Sequence, residues 1–427
     1  MPPGRVAATL RAALPQPPVR LSPMTRRSSL TNARLICTGV ALASGGIAFY
    51  VPLMLSAVGL AHSGVWAAGI LFGTNLGRLV GSHVASGRAA PVTQRTGVIV
   101  GNILLEGLAL FSMAFLSAPW LLVLVATIAG LGSGMSFPGM KNALLRLDGL
   151  DSGRAFAGLS MALRVGMVVG YLAGAVVGGD HLVAVFTVLL VMFVAYAGCM
   201  HVVLRGIEAA RREVVASAVP AAIVVGPDRG GAAPLNVGLL MAVNAAFWFL
   251  TIQPTVTMSL YVPRYVPGLP VSTTYWVMTL VALLLQMRVT ALARGAAAHL
   301  RFLRVGGVCM LAAFCAMAVA GSHATLVLLA AVLLALSQVF YGPSFDVLVS
   351  GDARARGLDT GQTMARQHFW QNFGMMTGSL AAGALFDLGV RWQSPAFGWV
   401  VLAAGSLVLI AGLGVAARRG RPLAPAA

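Results

Sequence analysis

One acid, Glu106, falls deep inside an apolar stretch of this chain, and with the arginines of such stretches it defines the chemistry on offer. Glu106 lies eleven residues beyond Arg95 and Arg164 ten beyond Arg154, so in helices both would sit ~15 Å deep. A charge at that depth in a bilayer costs several kcal/mol, so it faces a cavity or a partner. Glu106 is a candidate proton carrier, because a carboxyl can load and release a proton at a working pH; the alternative is a structural ion pair with Arg164 or Arg78. Arg164 is a substrate-cavity candidate whose planar, permanently charged fork attracts an anionic group. It could equally satisfy carbonyls or Glu106.

The run ARQHFWQNFG places His368, Gln371 and Asn372 at i, i+3 and i+4, on one helical face unsuited to lipid. Gln371 and Asn372 are cavity candidates. His368 is a second proton-coupling candidate, with a neutral histidine bonded between helices as the alternative. Asn244, Trp248, Thr251 and Thr255 repeat at i, i+4, i+7 and i+11 beside Pro254, which suits either a cavity wall or ordinary interhelical bonding. Methionines near these faces (Met241, Met258, Met364, Met375 and Met376) would suit a loosely specific apolar pocket or serve as core filler. Lys141 and Asp346 occupy corresponding helix ends and are gate candidates.

The elements that must hold these residues follow from composition. The chain has 427 residues, 58% hydrophobic and 9% charged, far below the roughly 25% charge of a soluble domain. Twelve apolar runs of about the length of a membrane span occupy 35–58, 65–84, 96–116, 120–144, 155–177, 182–204, 235–261, 272–292, 303–320, 325–349, 363–388 and 397–417. They divide the chain into a disordered cytoplasmic tail (1–33), an N-terminal six-helix bundle (34–205), a cytoplasmic linker (206–234), a C-terminal bundle (235–418) and a short tail (419–427). Met24 is an alternative start. The net charge of +18 reads as topology rather than nucleic-acid binding. All but five of the 29 basic residues fall on one side; Arg264 and Arg391 are opposite, and Arg78, Arg164 and Arg366 lie within spans. That bias places both termini in the cytoplasm. Trp66, Trp120, Trp392, Tyr261 and Tyr265 would form the outer aromatic belt. Cys37, Cys199, Cys309 and Cys315 read as small buried side chains without metal or disulfide spacing.

GLDSGR at 149–154 returns as GLDTGQ at 357–362, and the same offset pairs Gly166 with Gly374 and Gly170 with Gly378. Two parallel six-span repeats joined by a polar linker are the plan of secondary transporters that alternate access around a midplane site. Gly166, Gly170, Gly174, Gly374 and Gly378 read as helix-packing positions, with the glycine run from Gly166 to Gly178 packing across the bundle interface. No phosphate loop, metal cluster or nucleophile triad is recognisable, which argues against an ATP-driven pump, an enzyme or a cofactor.

The chain resembles the major facilitator superfamily, and most closely its twelve-helix drug:proton antiporter branch. The likeness rests on GLGSGMSFPGMKNAL (130–144), the glycines of the fifth span, DARARG (352–357) and FDLG (386–389). Tyr171 stands where the antiporter signature has proline, Ala85 and Ser86 where the loop acid and base belong, and Ala126 where span four has arginine. The resemblance implies an all-α membrane protein with 12 transmembrane helices in two pseudo-symmetric six-helix bundles, and a basic gate residue at Lys141. The expected function is proton-coupled efflux of a small amphiphilic or anionic organic compound by a monomer in the cell membrane. An importer or uniporter of an organic anion or polar nutrient is the alternative, and a non-transporting membrane sensor the rival of another class.

Overall fold

The computed structural model describes residues 23–86, 90–93, 95–145, 147, 152–177, 182–217, 237–293, 295–358 and 360–419. Expectations for 1–22, 218–236 and 420–427, for Gly178, and for most of the polar segment 149–151 lie outside the described residues. Among those described are twelve long helices: α1 (Pro23–Ala61), α2 (Gly64–Ser86), α3 (Thr96–Ser112), α4 (Pro119–Leu145), α5 (Ser152–Val177), α6 (Leu182–Ser217), α7 (Val237–Tyr265), α8 (Val271–Leu292), α9 (Ala296–Ala318), α10 (Ala324–Ala355), α11 (Thr360–Arg391) and α12 (Phe397–Arg419). A helical turn at Ala90–Thr93 and a 3-10 turn at Met113–Phe115 complete them.

Two boundaries differ from those expected. Residues 23–33 are helical rather than a disordered tail, as proline at the first helical position favours. Residues 206–217, assigned to the linker, continue α6; alanine, arginine and glutamate there are good helix formers. The Thr96 hydroxyl, donating to Glu208 Oε1 at 2.5 Å, ties this extension to the start of α3.

Nine of the twelve helices are long and apolar enough to cross a membrane among the described residues, and Gly158–Gly174 of α5 forms a shorter apolar stretch. Helix α2 packs on α4 and α11, α5 on α1 and α8, and α8 on α10 and α5.

Helices α1–α6 enclose one core, with Ile36, Ile103, Phe186 and Phe193 fully buried. Helices α7–α12 enclose another around Phe247, Phe314, Tyr341 and Trp399. The pairings repeat. In the first bundle α1 packs on α5, α3 on α4 and α6, and α2 on α4; in the second α7 packs on α11, α9 on α10 and α12, and α8 on α10. The two principal contacts between bundles, α2 with α11 and α5 with α8, exchange under the same correspondence.

Glycines set the closest approaches. A methyl group on Gly166 would strike the Ala41 carbonyl of α1, and one on Gly374 would strike the Ala245 carbonyl of α7. Gly170 and Gly378 lie similarly against Gly45 and Phe249. These glycines therefore pack within each bundle, α5 on α1 and α11 on α7, and not across the interface as the sequence suggested. The Ser44 hydroxyl, donating to Leu163 O at 3.0 Å, and Gln253 Nε2, donating to Gly378 O at 2.9 Å, pin the same two crossings. In the GLGSGMSFPG run, Gly130 and Gly134 nest on the backbone of α2 and Gly132 on that of α3.

Cys309, Cys37 and Cys199 are half-buried and Cys315 is exposed, so the expectation of four buried cysteines fails. A thiol on an outward helix face of a membrane bundle has no need of a protein cover.

Candidate site between the two bundles

On α5, Val165, Val169, Leu172 and Val176 form the outward stripe, and the glycines face α1. Arg164 and Tyr171, seven residues apart and so within ~20° of each other around the axis, occupy a third face. Its direction is fixed by Tyr171, whose ring stacks on Tyr275 of α8 with centroids 5.3 Å apart. The Tyr275 hydroxyl donates to Thr255 O of α7 at 2.6 Å. Arg164 thus looks toward the second bundle about 10 Å deeper than this contact. It is partly accessible, while its Nε is buried without a hydrogen-bond partner.

The corresponding face of α11 carries Asn372, which is buried, with the outward stripe at Phe373, Leu380 and Ala384. His368 lies on the inner side, where its Nε2 meets Lys141 Nζ of α4 at 2.5 Å. The ring is edge-on to Phe137 at 5.7 Å, and Phe137 also underlies the Lys141 ammonium at 5.0 Å. Asp346 of α10 stands in the field of Lys141 and accepts a hydrogen bond from Gln367 Nε2. The two gate candidates and one proton-coupling candidate thus form a single polar cluster bridging the bundles. Gln371 is only half-buried.

Glu106 is elsewhere. Only 5% exposed, it sits inside the first bundle, facing Arg78 of α2 and the Ser133 hydroxyl of α4, with Tyr50 and Tyr196 in its field. Its neighbouring charge is Arg78, not Arg164. Among the described residues the one ion pair within 4 Å is Arg356 with Asp352 in the DARARG run, at 2.9 Å, so Glu106 and Arg78 are near but not in contact.

Asn244 is 0% exposed and neither side-chain polar atom has a partner. Trp248 packs edge-on to Phe247 at 5.8 Å, and Thr251 donates back to Phe247 O. Ala245 and Phe249 face α11, so the Asn244–Thr255 stripe points inward. Met241 and Met258 are core filler; Met364, Met375 and Met376 are half-buried on α11.

At the end where α1 turns into α2, hereafter the Ser63 end, lies a contact that no motif announced. Both Asp387 carboxylate oxygens of α11 accept backbone N–H bonds from α2, Oδ1 from Gly64 and Oδ2 from Val65, each at 3.2 Å. A carboxylate on a helix N-terminus also meets the positive end of its dipole. Gly383 backs onto the Gly64 carbonyl there. Asp387 belongs to the FDLG run, which carried the family resemblance but pointed to no contact with α2. Tyr171 stood out in the sequence only as a departure from the antiporter signature, and its contact with α8 was not read from it.

No family model matches the sequence, and no curated protein matches it by sequence. Solved structures match by fold. The human organic anion transporter MFSD10 (TETRAN) superposes with a TM-score of 0.65 at 14% identity, over 93% of this chain and 100% of that one. An auto-inhibited POT family peptide transporter gives 0.66 at 14% over 92% and 98%, and the nucleoside transporter NupG gives 0.62 at 12% over 91% and 99%. The chain is therefore an all-α protein of two pseudo-symmetric six-helix bundles with the apolar helices of a multi-pass membrane protein. In particular, it has the major facilitator fold.

Proposed function

We propose that this protein is a secondary transporter working by alternating access, and not an enzyme. The observation that carries the reading is the polar cluster of Lys141, His368, Asp346 and Gln367, which joins the bundles through side chains. Within each bundle the helices lock backbone to backbone through glycines, so each moves as a body. Side-chain contacts between bundles can break and re-form as one rocks against the other.

The finer reading is proton-coupled export of a small amphiphilic or anionic organic compound. A contact between Lys141 and His368 needs one nitrogen to donate and the other to accept, so protonating His368 beside an ammonium would set two cations against each other and break it. Glu106, buried beside Arg78, is the other coupling candidate, acting through the first bundle rather than from the interface. The rule that basic residues stay inside puts both termini and the Lys141 end in the cytoplasm, in the cell membrane, and the Ser63 end outside. A monomer suffices, since the path lies between the two halves of one chain.

The test is solute flux driven by an imposed pH gradient in proteoliposomes. Glu106→Gln is expected to lower gradient-driven flux at least tenfold while leaving downhill counterflow within about twofold. Full gradient-driven flux in this variant removes Glu106 from coupling.

A further inference from the structure

Arg164 is a full positive charge half-way along α5, on the face turned to the second bundle, and it is unaccounted for. Its Nε is inaccessible and unpartnered, and no ion pair to it is present among the described residues. Glu106, the acid that could have neutralised it, faces Arg78 inside the first bundle instead. Asp346 is engaged by Gln367 and in the field of Lys141. A structural arginine at this depth would have been expected to find a carboxylate or carbonyls, because an unsatisfied guanidinium in a low-dielectric interior is costly. Arg164 nevertheless keeps partial accessibility without belonging to the outward stripe of Val165, Val169 and Val176, on the face that Tyr171 turns toward α8.

The surroundings fit a ligand with one charged end. The position of α11 that corresponds to Arg164 at the repeat offset holds Asn372, a buried neutral donor and acceptor and not a second charge. Met167, one turn along α5, is half-buried against the Tyr171–Tyr275 stack and supplies an apolar neighbour. We infer that Arg164 is the anion-binding residue of the transported solute, and that the substrate class is an organic anion: a carboxylate or sulfonate on an apolar body. The guanidinium fork pairs both oxygens of such a group at once. This rests on the transport reading above, but it fails separately.

The experiment uses the purified full chain in detergent, titrated with benzoate, p-toluenesulfonate, the neutral isostere benzamide and the cation benzylamine while thermal unfolding is followed, together with 6-carboxyfluorescein flux in proteoliposomes. Both anions are expected to raise the unfolding temperature saturably, at concentrations at least tenfold below benzamide or benzylamine. Arg164→Gln is expected to weaken the anions about 10- to 100-fold, the loss of one charge-assisted contact, with benzamide unaffected. Arg164→Lys keeps the charge but not the fork, so it should recover part of the affinity, which controls for folding. Equal binding of benzamide or benzylamine, retention of anion affinity in Arg164→Gln, or no binding of either anion overturns the assignment. Anion binding that depends on Arg164 without flux of any probe keeps this inference and overturns the transport reading. Flux of solutes indifferent to Arg164 does the reverse.

Discussion

Replacing Asp387 by alanine removes both acceptors that hold α11 on the N-terminus of α2. Hydrogen bonds to a charged group contribute about 1.5–3 kcal/mol when buried, but this carboxylate is half-exposed, so roughly 0.5–1 kcal/mol each is appropriate. The helix dipole adds about 0.3–1 kcal/mol. The closed arrangement at the Ser63 end therefore loses about 1–3 kcal/mol, a shift of roughly 5- to 150-fold in the closed-to-open ratio. Spin labels at Ser117 and Ser322, exposed serines in the α3–α4 and α9–α10 turns, report this opening by pulsed electron resonance once Cys37, Cys199, Cys309 and Cys315 are replaced. A long-distance population should grow in Asp387→Ala. Asp387→Asn, which keeps one neutral acceptor, should give roughly half the energetic effect. An unchanged distance distribution in Asp387→Ala would show that the two hydrogen bonds do not hold this end shut.

The cross-bundle contact of Lys141 and His368 should give a coupling of about 1–3 kcal/mol in a double-mutant cycle of Lys141→Gln and His368→Gln, read as thermal stability or as the population open at the Lys141 end; additive effects refute a shared contact. The same opening should increase as pH falls in the wild type and become insensitive to pH in His368→Gln. For packing, Gly166→Ala should destabilise by about 2 kcal/mol or more, whereas Gly198→Ala, with open space around it, should be near neutral; equal unfolding temperatures would contradict the backbone-to-backbone crossing of α1 and α5.

Hydropathy and glycine punctuation made the helices legible almost end to end, because lipid enforces composition over some twenty residues at a time. Where water or protein replaces lipid the pattern lost its grip. It missed the helical start at Pro23 and the extension of α6 to Ser217. The repeat at offset 208 paired the glycines of α5 with those of α11, and both sets do make the same kind of backbone approach. It did not say which neighbour those glycines touch, because spacing along one helix leaves the partner open. Lys141 and His368 are 227 residues apart, and Gly64 and Asp387 are 323 apart. Such pairings are set by how two bundles meet, and no local periodicity encodes them. For Glu106 the sequence left Arg78 and Arg164 open as neighbours, and the packing of α2 selects Arg78.

The most direct measurement of the central claim is uphill movement of an organic anion by the wild-type protein alone, reconstituted in sealed vesicles with a pH difference and no nucleotide. Accumulation of 6-carboxyfluorescein or benzoate above equilibrium, collapsing when a protonophore is added, is the expected result. Equilibration at the same rate with and without the protein, whatever the pH difference, would contradict it.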